Sequence, residues 1–371
     1  MRIGNREIGI NHRPYIIAEI GVNHDGDVER ALKLTDAAAD ANADAIKLQF
    51  FETDRLMSKA AKLAAYQKNA GETDPIEMLR RLELTIDEMA RVVERAHSKN
   101  IHAIVTVFSA ELVEIAETLP WDAYKTASPD IVNKPLLEAL MQTGKPMIVS
   151  TGASTLQEVT RAVDWLDNAK DRLAVLHCVS CYPTPLEDAA LAGCEALMEV
   201  LECPIGYSDH TATHHPAPLL SPLNVAVFEK HLTYDKSAQG PDHAASITPD
   251  EFREYVHYAM NAYFSDDSLE VLPEVRSKEP FRTYFGPIEK RVLDCEQDVR
   301  TVSRQSVVTT TDIPANTTIT RDMLTIKRPG TGILACNLES VIGCTTSQPI
   351  EADVPIQETD LVQFEPLLAS V

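Results

Sequence analysis

The feature that most constrains this chain is a regular alternation, in which eight short apolar runs are each followed by a stretch with helical spacing. The runs are YIIAEIG (15–21), AIKLQFF (45–51), HAIVTVF (102–108), AYKTAS (123–128), PMIVSTG (146–152), LAVLHCVS (173–180), PIGYSDH (204–210) and AVFEKHLT (226–233). Stretches such as DVERALKLTDAAADANA and IDEMARVVERAHSKN between them are amphipathic at helical period. The last run is followed by TPDEFREYVHYAMNAYF, where Thr248 or Asp250 can cap a helix. Eight β-then-α units in about 260 residues match the count and length of a (β/α)8 barrel. A doubly wound open sheet is the alternative, but no glycine-rich phosphate turn follows the first run. The expected fold is α/β, a TIM barrel over residues 1–265.

Beyond the barrel the pattern changes. Residues 266–301, which include DDSLEVLPEVRSKEPFRTYFGPIEKR, predict a connector with short helices. Residues 302–371 carry short β-type runs, turns and threonines, enough for a small β-rich domain whose thin core would gain from docking elsewhere. A chain of 371 residues is long for one core, so two domains are expected.

Composition then narrows the partners. The net charge of −22 argues against nucleic acid and anionic membrane, so an anionic substrate needs a local cluster of donors. No apolar run approaches the ~18 residues that would cross a membrane. MRIGNREIGI is not a secretory signal, and seven scattered cysteines suit a reducing compartment, so the expected location is cytoplasmic.

A barrel places chemistry at the C-terminal ends of its strands, and those ends are polar here. They read Glu19, Lys47 and Gln49, Thr106, Lys125 and Ser128, Ser150 and Thr151, Ser180 and Tyr182, Ser208, Asp209 and His210, then Glu229 and His231. One polar strand end is an ordinary solvated rim, whereas eight in succession on apolar strands mark a pocket. His210 and His231 close consecutive strands, which are neighbours in a closed barrel. With Glu19 nearby they make a candidate open site for a divalent metal such as Mn²⁺. A lone histidine would instead read as structural. Lys47, Lys125, Thr106, Ser128 and Ser208 are the donors that a phosphate or carboxylate needs. Other signals are weaker. Cys178 and Cys181 form a single C-x-x-C without a second pair, and His214 and His215 open the seventh helix with no assigned role. Asp25-Gly-Asp27 lacks the length and closing acid of a calcium loop.

IIAEIGVNHDG, ADAIKLQFF, YKTASPD, GKPMIVSTGAS, LHCVSCYPTP, IGYSDHT, FEKHLT and QGPDHAAS, in that order, resemble the sialic acid (N-acetylneuraminate) synthase family. That family includes legionaminate and pseudaminate synthases and spore-coat polysaccharide synthase-like proteins. The segment KRPGTGI resembles its C-terminal antifreeze-like, or SAF, domain. The resemblance implies condensation of phosphoenolpyruvate with the aldehyde of an N-acylated mannosamine-type sugar, giving a nine-carbon keto-sugar acid and phosphate. It assigns Lys47, Gln49, Thr106, Lys125, Ser128, Ser180, Tyr182 and Ser208 to phosphoenolpyruvate. His210 and His231 would bind the metal, Mn²⁺ with Mg²⁺ or Co²⁺ as alternatives, and Glu19 would be the acid–base group. Glu229 and Asp242 would meet the sugar, as would Arg328 reaching in from the partner subunit of a domain-swapped homodimer.

The chain departs from the family pattern in places. Its fourth strand closes in TASPD where many members have GSGE, so Asp130 replaces a longer acid. Val107 stands where proline is common, Ser180 replaces the asparagine of some members, and HHPAPLLSPLN is proline-rich where an alanine–glycine run is usual. Two other classes compete with the synthase reading: a non-catalytic carbohydrate-binding protein, and a synthase of seven- or eight-carbon keto acids. Retention of Glu19, both lysines, both histidines and Glu229 counts against the first, and the appended C-terminal domain counts against the second.

Overall fold

Each of the eight apolar runs is a strand in the computed structural model, which describes residues 1–265 and 268–366. Residues 266–267 and 367–371, which hold the expected start of the connector and the end of the C-terminal domain, lie outside the described residues. The strands are β1 (Tyr15–Gly21), β2 (Ala45–Phe50), β3 (His102–Val107), β4 (Ala123–Thr126), β5 (Met147–Ser150), β6 (Leu173–Cys178), β7 (Ile205–Asp209) and β8 (Val227–His231). All run parallel and close into a barrel in sequence order, with β8 paired to β1. Their near-continuous apolar character follows from burial on both faces. Inward positions such as Ile17, Ala45, Ile104, Ile148 and Leu176 fill the barrel, while alternate residues such as Ile16, Ile46 and Val105 face the helices.

One helix follows each strand: α1 (Val28–Asp40), α2 (Ile86–Ser98), α3 (Val113–Ala116), α4 (Lys134–Gln142), α5 (Leu156–Trp165), α6 (Gly193–Met198), α7 (Pro216–Leu220) and α8 (Pro249–Phe264). The caps follow local chemistry. Asp27 accepts from the amides of Glu29 and Arg30 to start α1, which gives Asp25-Gly-Asp27 a turn and cap role instead of calcium binding. Thr248 with Glu251 forms a capping box at α8. The prolines of α7 shorten it to five residues.

Two features lie outside the alternation. A hairpin pairs Arg2–Ile3 with Arg6–Glu7 and sends Ile3 and Ile8 into the core at the N-terminal end of the barrel. An excursion between β2 and α2 carries short helices at Thr53–Leu56, Ala65–Asn69 and Pro75–Leu82 across the opposite end. There Val22, Phe51, Leu56, Met78, Leu82 and Phe108 join a small apolar cluster separate from the main core.

The C-terminal domain pairs β9 (Ser306–Thr309) with β10 (Leu324–Lys327) and β11 (Thr345–Thr346) with β12 (Leu361–Val362) around a core including Val307, Ile319, Ile333, Val341 and Ile356. It docks on the C-terminal face of its own barrel. Met57 bridges Arg328, the amide of Arg328 donates to the Leu56 carbonyl at 2.8 Å, and the Ser58 hydroxyl donates to the Arg328 carbonyl at 2.7 Å. The helix Gln297–Ser303 that leads into this domain is tied to α5, where Arg300 and Arg304 both grip Glu158.

Candidate active site

The parallel register sets the polar strand ends side by side. His231 on β8 lies opposite Glu19 on β1, Glu19 opposite Lys47 on β2, Gln49 opposite Thr106 on β3, and Thr106 opposite Lys125 on β4. Period-two alternation turns these side chains into the mouth. The mouth is a cavity of about 890 Å³ including its opening, and most of the predicted site residues line it, while Glu19 and Ser208 touch Lys47 and Glu229, which do. Ser150 and Thr151 do not line it, and neither does Asp209. It lies between the inward Ser208 and His210, so it faces outward, where it pairs with Lys230 at 3.0 Å with both side chains fully buried. That pair joins β7 to β8 directly behind the two histidines.

Four charges meet at the cavity floor. Lys47 pairs with Glu19 and stands 3.6 Å from Glu229; its ammonium donates to Thr106 at 3.2 Å. Lys125 donates to Glu229 Oε1 at 3.0 Å, and the Ser208 hydroxyl donates to the same oxygen at 2.7 Å. Gln49 donates to Glu19 at 3.0 Å. The two carboxylates are pushed apart. Burial raises Glu19, Lys47 only partly offsets it, and the charge of Glu229 adds to the rise. Burial acts on Glu229 in the same sense, but Lys125 and Lys47 together outweigh it and hold this carboxyl well below the usual range. The two carboxyls therefore differ in their readiness to hold a proton, Glu19 more than Glu229. Gly21 is needed at this point, because a Cβ there would collide with the folded-back Glu19 carboxyl.

Hydroxyls cluster on the β4–β6 side. Ser128 Oγ accepts from the amide of Gly152 at 3.0 Å and lies 3.1 Å from the buried Cys178 thiol. Ser150 Oγ and Ser180 Oγ have no partner among the described residues. A Cβ on Gly152 would collide with Ser180 Oγ, so the glycine keeps open a cradle of free donors. Cys178 and Cys181 are separate thiols rather than a disulfide.

The two imidazoles lie with ring centroids 5.5 Å apart. His210 Nδ1 contacts the Val179 carbonyl at 2.7 Å, which leaves Nε2 facing the pocket. Burial lowers His210 to about 4 and drives His231 well below its usual range, so both rings are neutral, as metal ligands must be. His231 Nδ1 is 3.6 Å from Asp242, whose carboxyl burial, followed by the charge of Glu19, raises to about 7. Among the described residues no group of three or more His, Cys, Asp or Glu side chains is preassembled for a metal. The donor set that a divalent ion would find here is the two neutral imidazoles of His210 and His231. Tyr182 stacks 4.2 Å from His210 and 4.9 Å from Tyr66.

The comparisons with known proteins fall on this geometry. The NeuB family profile matches residues 34–268 and the SAF domain profile residues 304–362. The chain belongs to the NeuB family. It is 34% identical over 345 residues, 91% of this chain and 92% of the other, to the N,N'-diacetyllegionaminic acid synthase of Legionella pneumophila. It is 30% identical over 324 residues, 87% and 85% of the two chains, to the N-acetylneuraminate-9-phosphate synthase of Mus musculus. The crystal structure of spore coat polysaccharide biosynthesis protein SpsE from Bacillus subtilis superposes with a TM-score of 0.81 at 27% identity, covering 98% of this chain and 99% of that one.

Within this NeuB-family chain, Glu229 pairs with both lysines on the floor. Arg328 lines the pocket of its own chain, its guanidinium 5.4 Å from the Phe108 ring. The connector is pinned to the same barrel by Glu158 and by Glu296, whose Oε1 accepts from the amides of Ala153 and Ser180. Beneath Arg328, Asp130 is raised to about 7 by burial, against the pull of Arg328 and Lys125, and Gln305 donates to it at 2.9 Å. Gln305 also accepts from Asn133 at 3.0 Å and donates to the Phe108 carbonyl. Sequence reasoning noticed Asp130 only as a departure and missed Tyr66, Phe51, Phe108, Glu296 and Gln305. The four-residue spacing of Arg300 and Arg304 was a readable sign of one helix face reaching for an acid.

Proposed function

We propose that this NeuB-family chain condenses phosphoenolpyruvate with the open-chain aldehyde of an N-acylated mannosamine-type sugar, releasing phosphate and a nonulosonic acid. The observation that carries the reading is the floor itself: two buried lysines and a cradle of free serine hydroxyls beside two neutral imidazoles. Lys47 and Lys125, with Gln49, Thr106, Ser128, Ser180, Tyr182 and Ser208, would hold the phosphate and carboxylate by charge-assisted bonds. An arriving anion replaces Glu229 as counter-ion, so the lysines are preorganised for charge before substrate enters.

The new carbon–carbon bond joins the methylene carbon of phosphoenolpyruvate to the aldehyde carbon. A divalent metal held by His210 and His231 would, when bound, polarise the aldehyde oxygen. Glu19, the carboxyl shifted toward neutrality, gives its proton to the aldehyde oxygen as the carbon–carbon bond forms and, once ionised, takes the proton of the water that attacks the enol carbon. Lys47 and Lys125 neutralise the phosphate as its carbon–oxygen bond breaks. Asp242 meets the sugar from the side of His231, and Arg328 meets it from the C-terminal domain.

The test is direct. Pure protein with phosphoenolpyruvate, Mn²⁺ and an N-acyl mannosamine should release inorganic phosphate in step with sugar consumption, and Lys125→Ala should abolish it. Sugar binding without any phosphate release would instead support the carbohydrate-binding reading.

A further inference from the structure

Where the connector meets the barrel, two thiols from distant parts of the chain face each other. Cys181 follows β6 in the loop to α6, and Cys295 sits in the short 3-10 turn Asp294–Glu296. Their neighbours fix the approach. Glu296 Oε1 accepts from the amide of Ser180 at 2.7 Å and from the amide of Ala153 at 2.6 Å. The residue beside each cysteine is thus bonded across the junction, and the two thiols come into hydrogen-bonding contact. Both are half-buried and unoxidised. Cys178, the other member of the C-x-x-C, is buried and lies against Ser128 Oγ instead.

The contact is asymmetric. The hydrogen bond from Cys295 holds the Cys181 thiol below its usual range, against burial and the charges of Asp188 and Glu296. The same bond raises Cys295, and burial adds to the rise. The thiolate is the reactive form of cysteine, so Cys181 is the thiol that reacts first, with a second thiol already in place to resolve the product.

We infer that Cys181 and Cys295 are a peroxide-sensitive dithiol, which closes to a disulfide and staples the connector to the barrel. The Cys181 thiolate attacks one oxygen of hydrogen peroxide and becomes a sulfenic acid as the oxygen–oxygen bond breaks. The departing hydroxide takes up the proton that Cys181 lost and leaves as water. Cys295 then attacks the sulfenic sulfur, the sulfur–oxygen bond breaks, and the hydroxyl leaves with the Cys295 proton as a second water. Two electrons pass from the sulfur pair to the peroxide, and an added dithiol returns them. In a reducing compartment such a pair rests open and closes only under oxidant. The staple matters because the connector carries the domain that sets Arg328 in the pocket. Salt bridges from Arg300 and Arg304 to Glu158, and the bonds to Glu296, attach it now. A covalent bond would make that attachment independent of pH.

The experiment treats full-length protein with hydrogen peroxide or with dithiothreitol and maps its peptides without reduction. A peptide joining Cys181 to Cys295 should appear with peroxide and vanish on reduction. In the reduced protein, iodoacetamide should label Cys181 faster than Cys295. Oxidation should slow proteolysis within residues 286–305 by about tenfold or more, since a cross-link between distant segments restrains local opening. Glu158→Gln, which loosens the connector, should regain slow cleavage on oxidation, whereas the same variant with Cys295→Ser should not. A Cys178–Cys181 bridge in place of the expected one, sulfinic acids without a cross-link, or equal cleavage of oxidised and reduced protein would each overturn the inference. None of these readouts uses phosphate release, so the inference stands or falls apart from the synthase reading.

Discussion

Glu19 and Glu229, on adjacent strands β1 and β8, flank a single ammonium, that of Lys47. Lys125 adds a second cation on the Glu229 side only, and Ser208 donates to the same carboxyl. This asymmetry divides the labour. Glu229 remains ionised as a fixed counter-ion, whereas Glu19 is raised toward the range in which it can exchange protons.

Glu19→Gln keeps the shape and the bond from Gln49 while removing the titrating group. Turnover should fall by about 10²- to 10⁴-fold, the usual worth of a positioned acid–base residue. The alkaline limb of the kcat–pH profile should vanish with it. A mutant that retains both the rate and that limb would assign the proton transfer elsewhere.

Glu229→Ala leaves Lys125 buried without the carboxylate it pairs with. Stability should drop by roughly 3–5 kcal/mol, the cost of stranding one member of a buried pair. Inorganic phosphate or phosphoenolpyruvate should restore more of the melting temperature in this mutant than in the wild type, because the anion takes the vacated place. Thermal melts with and without phosphate check this, and equal ligand shifts in both proteins would contradict it.

Most of this arrangement was legible in the sequence, and the reason is periodicity. All eight strands were marked by apolar runs bounded by polar residues. Within a strand the two-residue alternation fixes which side chains share the mouth, so Lys47 with Gln49, and Glu229 with His231, belong together. The same rule condemns Asp209, one residue out of step with Ser208 and His210. The excursion over residues 51–84 has several short helices and no sustained period, so Tyr66, Met78 and Leu79 gave no sign of the pocket they line. Glu296 and Gln305 act through chain segments more than 100 residues away, on Ser180 and Asp130 respectively, and nothing local encodes that. The N-terminal hairpin is too short to show a pattern.

The connector is predicted to release in acid. Burial alone would raise Glu158, but hydrogen bonds and charge from Arg304 and Arg300 outweigh it and hold the carboxyl at about 2, below its ordinary value of 4.5. A depressed carboxyl contributes stability above its unfolded pKa and loses it as pH falls through the folded one. The contribution is on the order of 3 kcal/mol from a shift of this size. Limited proteolysis within residues 286–305 should therefore accelerate between about pH 4.5 and pH 2 in the wild type. Glu158→Gln should be cleaved at the fast rate already at pH 7.

Chelation addresses the histidines. Exhaustive removal of divalent ions should abolish turnover, with Mn²⁺, Co²⁺ or Mg²⁺ restoring it, while the fold is kept by the buried Asp209–Lys230 pair behind the two rings. His231→Gln should be inactive with a nearly unchanged melt. Full activity after chelation would remove the metal from the site.

The last prediction separates two ways of completing the pocket. The guanidinium of Arg328 lies in the cavity of its own chain, and its backbone is bonded to Leu56 and Ser58 of that chain. A site built this way needs Lys125 and Arg328 on one polypeptide. Arg328→Ala and Lys125→Ala should each be nearly inactive, and mixing them under conditions of confirmed subunit exchange should restore nothing, since every site lacks one of the two residues. Exchanged C-terminal domains would give a different outcome. Half of the dimers would be hybrids, each hybrid would hold one intact composite site, and about a quarter of wild-type activity would return. The mixing experiment, with exchange verified by mass, distinguishes the two, and recovery near a quarter would overturn assembly of the site within a single chain.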